Sequence, residues 1–256
     1  MAASRSPTKP TPTKPKRVAR GRGISPADVM RLLGPEYGPV EWEARYDPAS
    51  ELVYTILSQH TSDVNSGRAF DALMKRFGSL EAVAAAPAGE IEEAIRAGGL
   101  ARVKAPRIKA VLKQVFDELG SYDLSFLAEM PLSEAKAWLR RLPGIGPKTA
   151  AIILCFSLGM PAMPVDTHIY RVSKRLGLIG DKVNAEKAHD ILEGMVPPGD
   201  VFPFHMYLIR HGRQVCKALR PQCSRCVLAE RCPSRHLFDK PKAASAKRRR
   251  AGSSRR

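Results

Sequence analysis

Two side chains stand where they could do nucleophilic chemistry. Lys148 opens an apolar segment, Thr149 to Leu158, directly after the turn Pro143-Gly144-Ile145-Gly146-Pro147. Asp166 stands 18 positions beyond the lysine, in front of a second helical run that begins Thr167-His168-Ile169. Two glycines two apart can take positive φ at little cost and let backbone approach a ligand. The helix that follows turns unpaired N–H groups and the positive end of its dipole back toward that turn, which makes an anion site suited to phosphate. Cations are disfavoured at a helix N-terminus, so the placement of Lys148 favours its neutral, nucleophilic amine. Asp166 is the opposite case and fits an N-cap.

A second constellation lies near the C-terminus. Of five cysteines, Cys155 sits mid-run in AIILCFSLG and reads as a small core residue. The other four form Cys216-x6-Cys223-x2-Cys226-x5-Cys232. Four thiols in one short, proline-containing loop call for a metal, and zinc or an iron–sulfur cluster are the choices. Zinc sites usually pair two Cys-x2-Cys hooks, and this loop has one. A disulfide pair needs an oxidising compartment, and nothing signals export.

The elements that position these groups read as helix after helix. Ser25-Pro26 and Asp47-Pro48 each pair an N-cap with a proline at the first helical position, opening helices to Leu33 and through Leu52–Leu57. Further helices are expected over 63–77, 79–85, 87–97, 103–119, 133–140 and 204–215, and from a cap at Asn184 to Met195. Short turns join them, and alternating strand patterns are scarce. The fold class is therefore all-α.

The 256 residues suffice for one large domain or two small ones with cores. No apolar run reaches the ~18–20 residues of a membrane span. The net charge is +17. Residues 1–23 hold seven Lys/Arg and no acid, and residues 239–256 hold eight against one Asp, so only +3 belongs to the chain between them. Both ends are rich in Pro, Ala, Ser and basic residues and are expected to be disordered basic tails that attract phosphates non-specifically. The first has no apolar segment for a secretory signal. Its prolines also spoil the amphipathic helix of a transit peptide.

LPGIGPKTA followed by VDTH, with that lysine-to-aspartate spacing, resembles the helix-hairpin-helix glycosylase superfamily and within it the endonuclease III family, over residues ~24–236. The cysteine spacing is also that of the family's cluster loop. The resemblance implies a two-domain helix-hairpin-helix glycosylase fold. A six-helix barrel would span 46–163, with the hairpin at about 133–158. A 4Fe–4S cluster domain would be built from 24–45 and 164–238, and damaged double-stranded DNA would bind in the cleft between the two. It implies Lys148 as the nucleophile and Schiff-base lysine, Asp166 as the essential carboxylate, and Cys216, Cys223, Cys226 and Cys232 as cluster ligands. Hairpin N–H groups at Gly144, Ile145, Gly146 and Lys148 would hold a phosphate, and a monovalent or divalent cation often sits there in the family. Lys217 and Arg220, in the loop between the first two cluster cysteines, would approach DNA.

Enzymes that act on a base take it out of the stack, and something must fill the gap. By resemblance Leu100 is the apolar wedge, and either Gln59 or His60 fills the gap, because this chain has LSQHTSD where bacterial members have LSAQATD. Asp63 reads as the cap of the next helix, and His168 as a structural histidine bonded to nearby backbone. The implied activity is a bifunctional glycosylase and abasic-site lyase for oxidised pyrimidines such as thymine glycol. It is expected to act as a monomer on DNA in a prokaryotic cytoplasm and nucleoid. An adenine glycosylase of the MutY type is the alternative enzyme, but it lacks the lysine and uses a glutamate near position 54, where 54–57 hold no carboxylate. A non-catalytic hairpin module would need neither Lys148, Asp166 nor the cysteines.

Overall fold

The structure, a computed structural model, describes residues 23–238. Of the expected tails, 1–23 and 239–256, all but Gly23 lie outside the described residues. The described residues hold eleven α-helices, six short 3-10 helices and no strand. Helices α1 (Pro26–Tyr37), α2 (Pro48–Ser58) and α3 (Asp63–Phe77) open the chain. Then come the short α4 (Leu80–Ala85) and α5 (Ala88–Ala94), the long α6 (Ala101–Leu119), and α7 (Leu132–Arg140). α8 (Pro147–Leu158), α9 (Thr167–Leu176), α10 (Ala185–Met195) and α11 (Val201–Gln214) complete the order.

α2 is the axial element. Asp47 Oδ1 accepts from the N–H groups of Ala49 and Ser50 at 3.1 and 2.9 Å, and Pro48 presets the first turn. Every residue from Ala49 to Leu57 is buried, as expected of a helix surrounded by others. α3, α6 and α8 pack around it. α8 is apolar almost throughout and ends where Gly159 takes the left-handed conformation.

α9 is the opposite type. Its apolar stripe, Ile169, Val172 and Leu176, faces inward, while Arg171, Lys174 and Arg175 are partly buried beside it. It packs on α11 at close range, because a Cβ added at Gly212 would stand 2.9 Å from His168 Cβ. α1 also packs on α11, so the two ends of the described chain meet.

Most sequence-derived boundaries agree within two or three residues. α1 runs four residues past Leu33, carrying Gly34 and Pro35 inside it, and α11 starts at Val201, with Pro203 in its first turn, where proline is tolerated. Asp63 does not cap α3. Ser62 does, its side chain accepting from Asn65 N, and Asp63 instead makes an ion pair with Arg213 of α11 at 2.8 Å.

Candidate active site and DNA interface

Lys148 lies in the first turn of α8. Gly146 is the N-cap in extended backbone and offers no side chain, so no side chain caps α8. Only Gly144 uses the left-handed region (φ 78°), and the Ile145 N–H donates to Leu142 O at 3.2 Å. Ile145 is thus a buried part of the turn and its N–H is engaged, which leaves Gly144, Gly146 and Lys148 for a phosphate. The carbonyl of Leu142 is taken by Ile145, and that of Gly144 accepts from Gln59 Nε2 at 3.4 Å.

Asp166 is the N-cap of α9. Its Oδ1 accepts from Ile169 N at 2.7 Å. The segment before it has no regular structure, so other side chains hold its backbone. Met163 N donates to Glu193 Oε2 at 3.0 Å, and Lys136 ion-pairs with that carboxylate at 2.6 Å. His189 Nδ1 lies 2.8 Å from Met163 O and 3.3 Å from Val165 N. One nitrogen cannot both donate and accept, and the shorter contact identifies Nδ1–H as donor to Met163 O. His205 Nδ1–H donates to Pro164 O at 3.0 Å.

Both histidines are buried, and burial lowers both. His205 falls to about 4, pulled back by Asp166 and pushed down further by Lys148 and Arg213. Its imidazole is therefore neutral, and its second nitrogen carries a lone pair. Lys148, Asp166 and His205 line one cleft of about 1810 Å³ of open and enclosed space, with Tyr54, Phe156 and Tyr170 on its walls and the Asp63–Arg213 ion pair also lining it.

The two gap-filling loops share one backbone feature. His60 (φ 56°) and Leu100 (φ 53°) are the non-glycine residues with positive φ among the described ones, and both are exposed. Such conformations cost of order 1–3 kcal/mol and persist only when their surroundings impose them. Lys104 supplies part of that. It is fully buried, and its Nζ donates to Leu57 O at 2.6 Å, just before one loop, and to Gly98 O at 3.0 Å, just before the other. Gln59 does not point outward freely. Its Oε1 accepts from Arg107 Nη1 at 2.6 Å while its amide reaches the hairpin.

The four cysteines 216, 223, 226 and 232 line one pocket, with Val172, Leu176 and Val215 as its apolar wall. Among the described residues no three His, Cys, Asp or Glu side chains stand close enough for a single metal ion. Four sulfurs on one zinc ion would each lie about 2.3 Å from it. Four thiols lining one pocket, with a single Cys-x2-Cys hook among them, are a donor set that fits a 4Fe–4S group.

α9 grips this loop. Arg171 Nε donates to Cys216 O at 3.0 Å, and Arg175 donates to Lys217 O and Ala218 O at 2.7 and 2.8 Å. Lys217, Leu219 and Arg220 are exposed beyond these anchors. Arg171 also bonds His168 Nδ1 at 3.1 Å, so that histidine's partner is a side chain and not the backbone.

Sequence reasoning missed His189, His205, Arg107, Arg171 and Arg175. Their partners lie far away in the chain, and no local spacing signals them. Glu51 in α2 is a buried carboxylate close to the glutamate position of the alternative enzyme. It is held by Arg45 and Thr55 and does not line the cleft.

The model of the HhH-GPD superfamily of base excision DNA repair proteins matches residues 53–198. An endonuclease III of Synechocystis is 36% identical over 190 residues, 73% of this chain and 81% of that one. An Arabidopsis thaliana protein provisionally named a DNA glycosylase is 36% identical over 162 residues, and there the chain spans 55% of the relative's length. A solved endonuclease III trapped as a covalent intermediate with DNA superposes with a TM-score of 0.69 at 28% identity, covering 84% of this chain and 98% of that one. The chain belongs to the HhH-GPD superfamily of base excision DNA repair proteins. Its activity is that of a DNA glycosylase of the endonuclease III type, and its partner is damaged duplex DNA.

Proposed function

We propose that the enzyme removes oxidised or ring-saturated pyrimidines, such as thymine glycol, and then cuts the strand 3′ to the abasic site, with Lys148 as nucleophile and Asp166 as its carboxylate partner. One observation carries the reading: an exposed lysine at an uncapped helix start and a carboxylate with a fixed backbone share one cleft. The Lys148 amine bonds to C1′ as the bond from C1′ to the base breaks, and the base leaves with the electron pair. The C1′–O4′ bond then breaks, O4′ takes a proton, and the opened sugar carries an imine at C1′ that acidifies the 2′ proton, whose loss expels the 3′ phosphate. Water then frees the lysine. Asp166 takes the ammonium proton or stabilises positive charge at the sugar.

The division into a barrel, 46–163, and a second unit from 24–45 and 164–238 follows the family, with the cleft between them. Gly144, Gly146 and the first N–H groups of α8 cradle a phosphate. Leu100 and either Gln59 or His60 enter the gap left by the extruded base. Lys217 and Arg220 meet the backbone. Cys216, Cys223, Cys226 and Cys232 hold a 4Fe–4S cluster, which when bound cross-links a loop too short to fold alone. No helix among the described residues is long and apolar enough to cross a membrane. The site of action is the cytoplasm and nucleoid.

The test is borohydride trapping on a duplex with one thymine glycol, with Lys148→Gln beside the parent. A covalent band in the parent alone is expected. A band on a plain abasic site only would keep Lys148 and reject the lesion. No band on either duplex would reject the imine mechanism.

A further inference from the structure

Arg45 lines the cleft with Lys148 and Asp166 but has no part in their chemistry. It lies just before α2, and its backbone N–H donates to Phe156 O of α8 at 3.4 Å. Its guanidinium is held from two sides. Nε donates to Glu51 Oε2 at 2.9 Å, and Nη2 donates to Glu51 Oε1. The guanidinium carbon lies 4.3 Å from the Tyr54 ring centroid and 5.1 Å from that of Phe156. Thr55 Oγ1 adds a hydrogen bond to Glu51 at 3.1 Å.

This arrangement is costly for a residue that serves only solubility. The Glu51 side chain is fully buried, whereas that of Arg45 is 37% exposed. Burying a carboxylate is strongly unfavourable unless it is paired. A buried anion behind a half-exposed cation fixes the direction of the cation. Two of its three nitrogens are committed to Glu51, and Nη1 has no hydrogen-bond partner among the described residues. The rings of Tyr54 and Phe156 line the same cleft. An oriented donor beside two aromatic faces, next to a nucleophile, is a site for a flat or nearly flat ring with acceptor oxygens.

We propose that Arg45 is a binding residue for the extruded base, donating from Nη1 to a carbonyl oxygen of the pyrimidine while Tyr54 and Phe156 contact its ring. The idea rests on the reading of Lys148 as nucleophile toward damaged pyrimidines. Oxidation at C5 and C6 leaves the O2 carbonyl of a pyrimidine intact, so one donor serves many lesions. The same hydrogen bond strengthens as the base departs, because its ring oxygens gather the negative charge of the broken bond.

A preformed abasic site has no base, and this separates the roles. Single-turnover base release from a thymine glycol duplex is compared with strand cleavage at an abasic site, for the parent, Arg45→Gln and Arg45→Lys. The lysine variant keeps a cation for Glu51 but lacks the third nitrogen of the fork, so it stands in if the glutamine variant folds poorly. Base release is expected to fall roughly 10- to 100-fold, the worth of one charge-assisted hydrogen bond, with abasic-site cleavage within about twofold of the parent. Equal losses on both substrates would make Arg45 structural and overturn the proposal, as would no loss on either. A parent that cleaves the abasic site but releases no oxidised pyrimidine overturns the lesion assignment itself, and Arg45 as its reader with it.

Discussion

Acid should destabilise this protein through His205, by an amount that can be worked out. The imidazole is buried, and its Nδ1–H is committed to Pro164 O at 3.0 Å. The charges that reach it are Asp166, which favours protonation, and Lys148 and Arg213, which oppose it. Burial dominates and pushes it from 6.5 down to about 4. The unfolded chain therefore binds a proton more readily than the folded one. The stabilisation is fully present above about pH 6.5 and is lost as the pH falls toward 4. Between about pH 7.5 and pH 5 the linkage amounts to roughly 2 kcal/mol.

Urea denaturation followed by circular dichroism at those two pH values measures it, with His205→Gln beside the parent. The glutamine amide can still reach Pro164 O but does not titrate. Other histidines contribute equally to both proteins, so the difference between the two pH effects isolates His205. The parent should lose about 2 kcal/mol more than the variant. Parallel losses would refute the argument, because they would mean that His205 titrates in the fold as it does in the open chain.

Gly144→Ala puts a non-glycine residue at φ 78° and a methyl 2.7 Å from Arg107 Nε, so thermal denaturation should report a cost of about 2–4 kcal/mol. Adding Arg107→Ala should recover the clash but not the backbone strain. Lys104→Met leaves the carbonyls of Leu57 and Gly98 without their donor. It should cost about 2–3 kcal/mol and speed hydrogen exchange in both loops, around 58–62 and 99–103; unchanged exchange would sever Lys104 from the loops. Deleting 1–22 and 239–256 should flatten the salt dependence of DNA binding by about 0.9 log units of slope for each phosphate that the tails neutralise, read by fluorescence anisotropy across a salt series. An unchanged slope would make both tails bystanders.

Sequence carried what is local. Ser25-Pro26, Asp47-Pro48 and Asn184 announce their helices because capping is settled within four residues. The four cysteines and the lysine at the turn are legible for the same reason. Two errors came from the limits of that logic. Ser62 and Asp63 are both competent caps, and only the distant Arg213 explains why the serine takes the role. Pro203 looks like a boundary, although a proline in the first turn costs a helix nothing. What could not be read are the long-range partners: His189 and His205 on the segment before Asp166, Arg107 on Gln59, and Arg175 on the cysteine loop. Each is an ordinary surface-type residue in its own helix, and only the packing of that helix gives it a role.

The meeting of α1 with α11 has a consequence for the order in which the molecule is made. α1 leaves the ribosome well before the helix it packs on, α11. Tyr37 and His211, hydrogen-bonded at 3.0 Å, are 174 positions apart, and Asp28 waits still longer for Arg231. Throughout that interval Val29 and Leu33, both completely covered in the finished protein, lack the surface of α11. The helices around α2 need only their own neighbours up to α8 and can close much earlier. Residues 201–238 are the seal: the same segment supplies the cysteine pocket and the helix that covers α1.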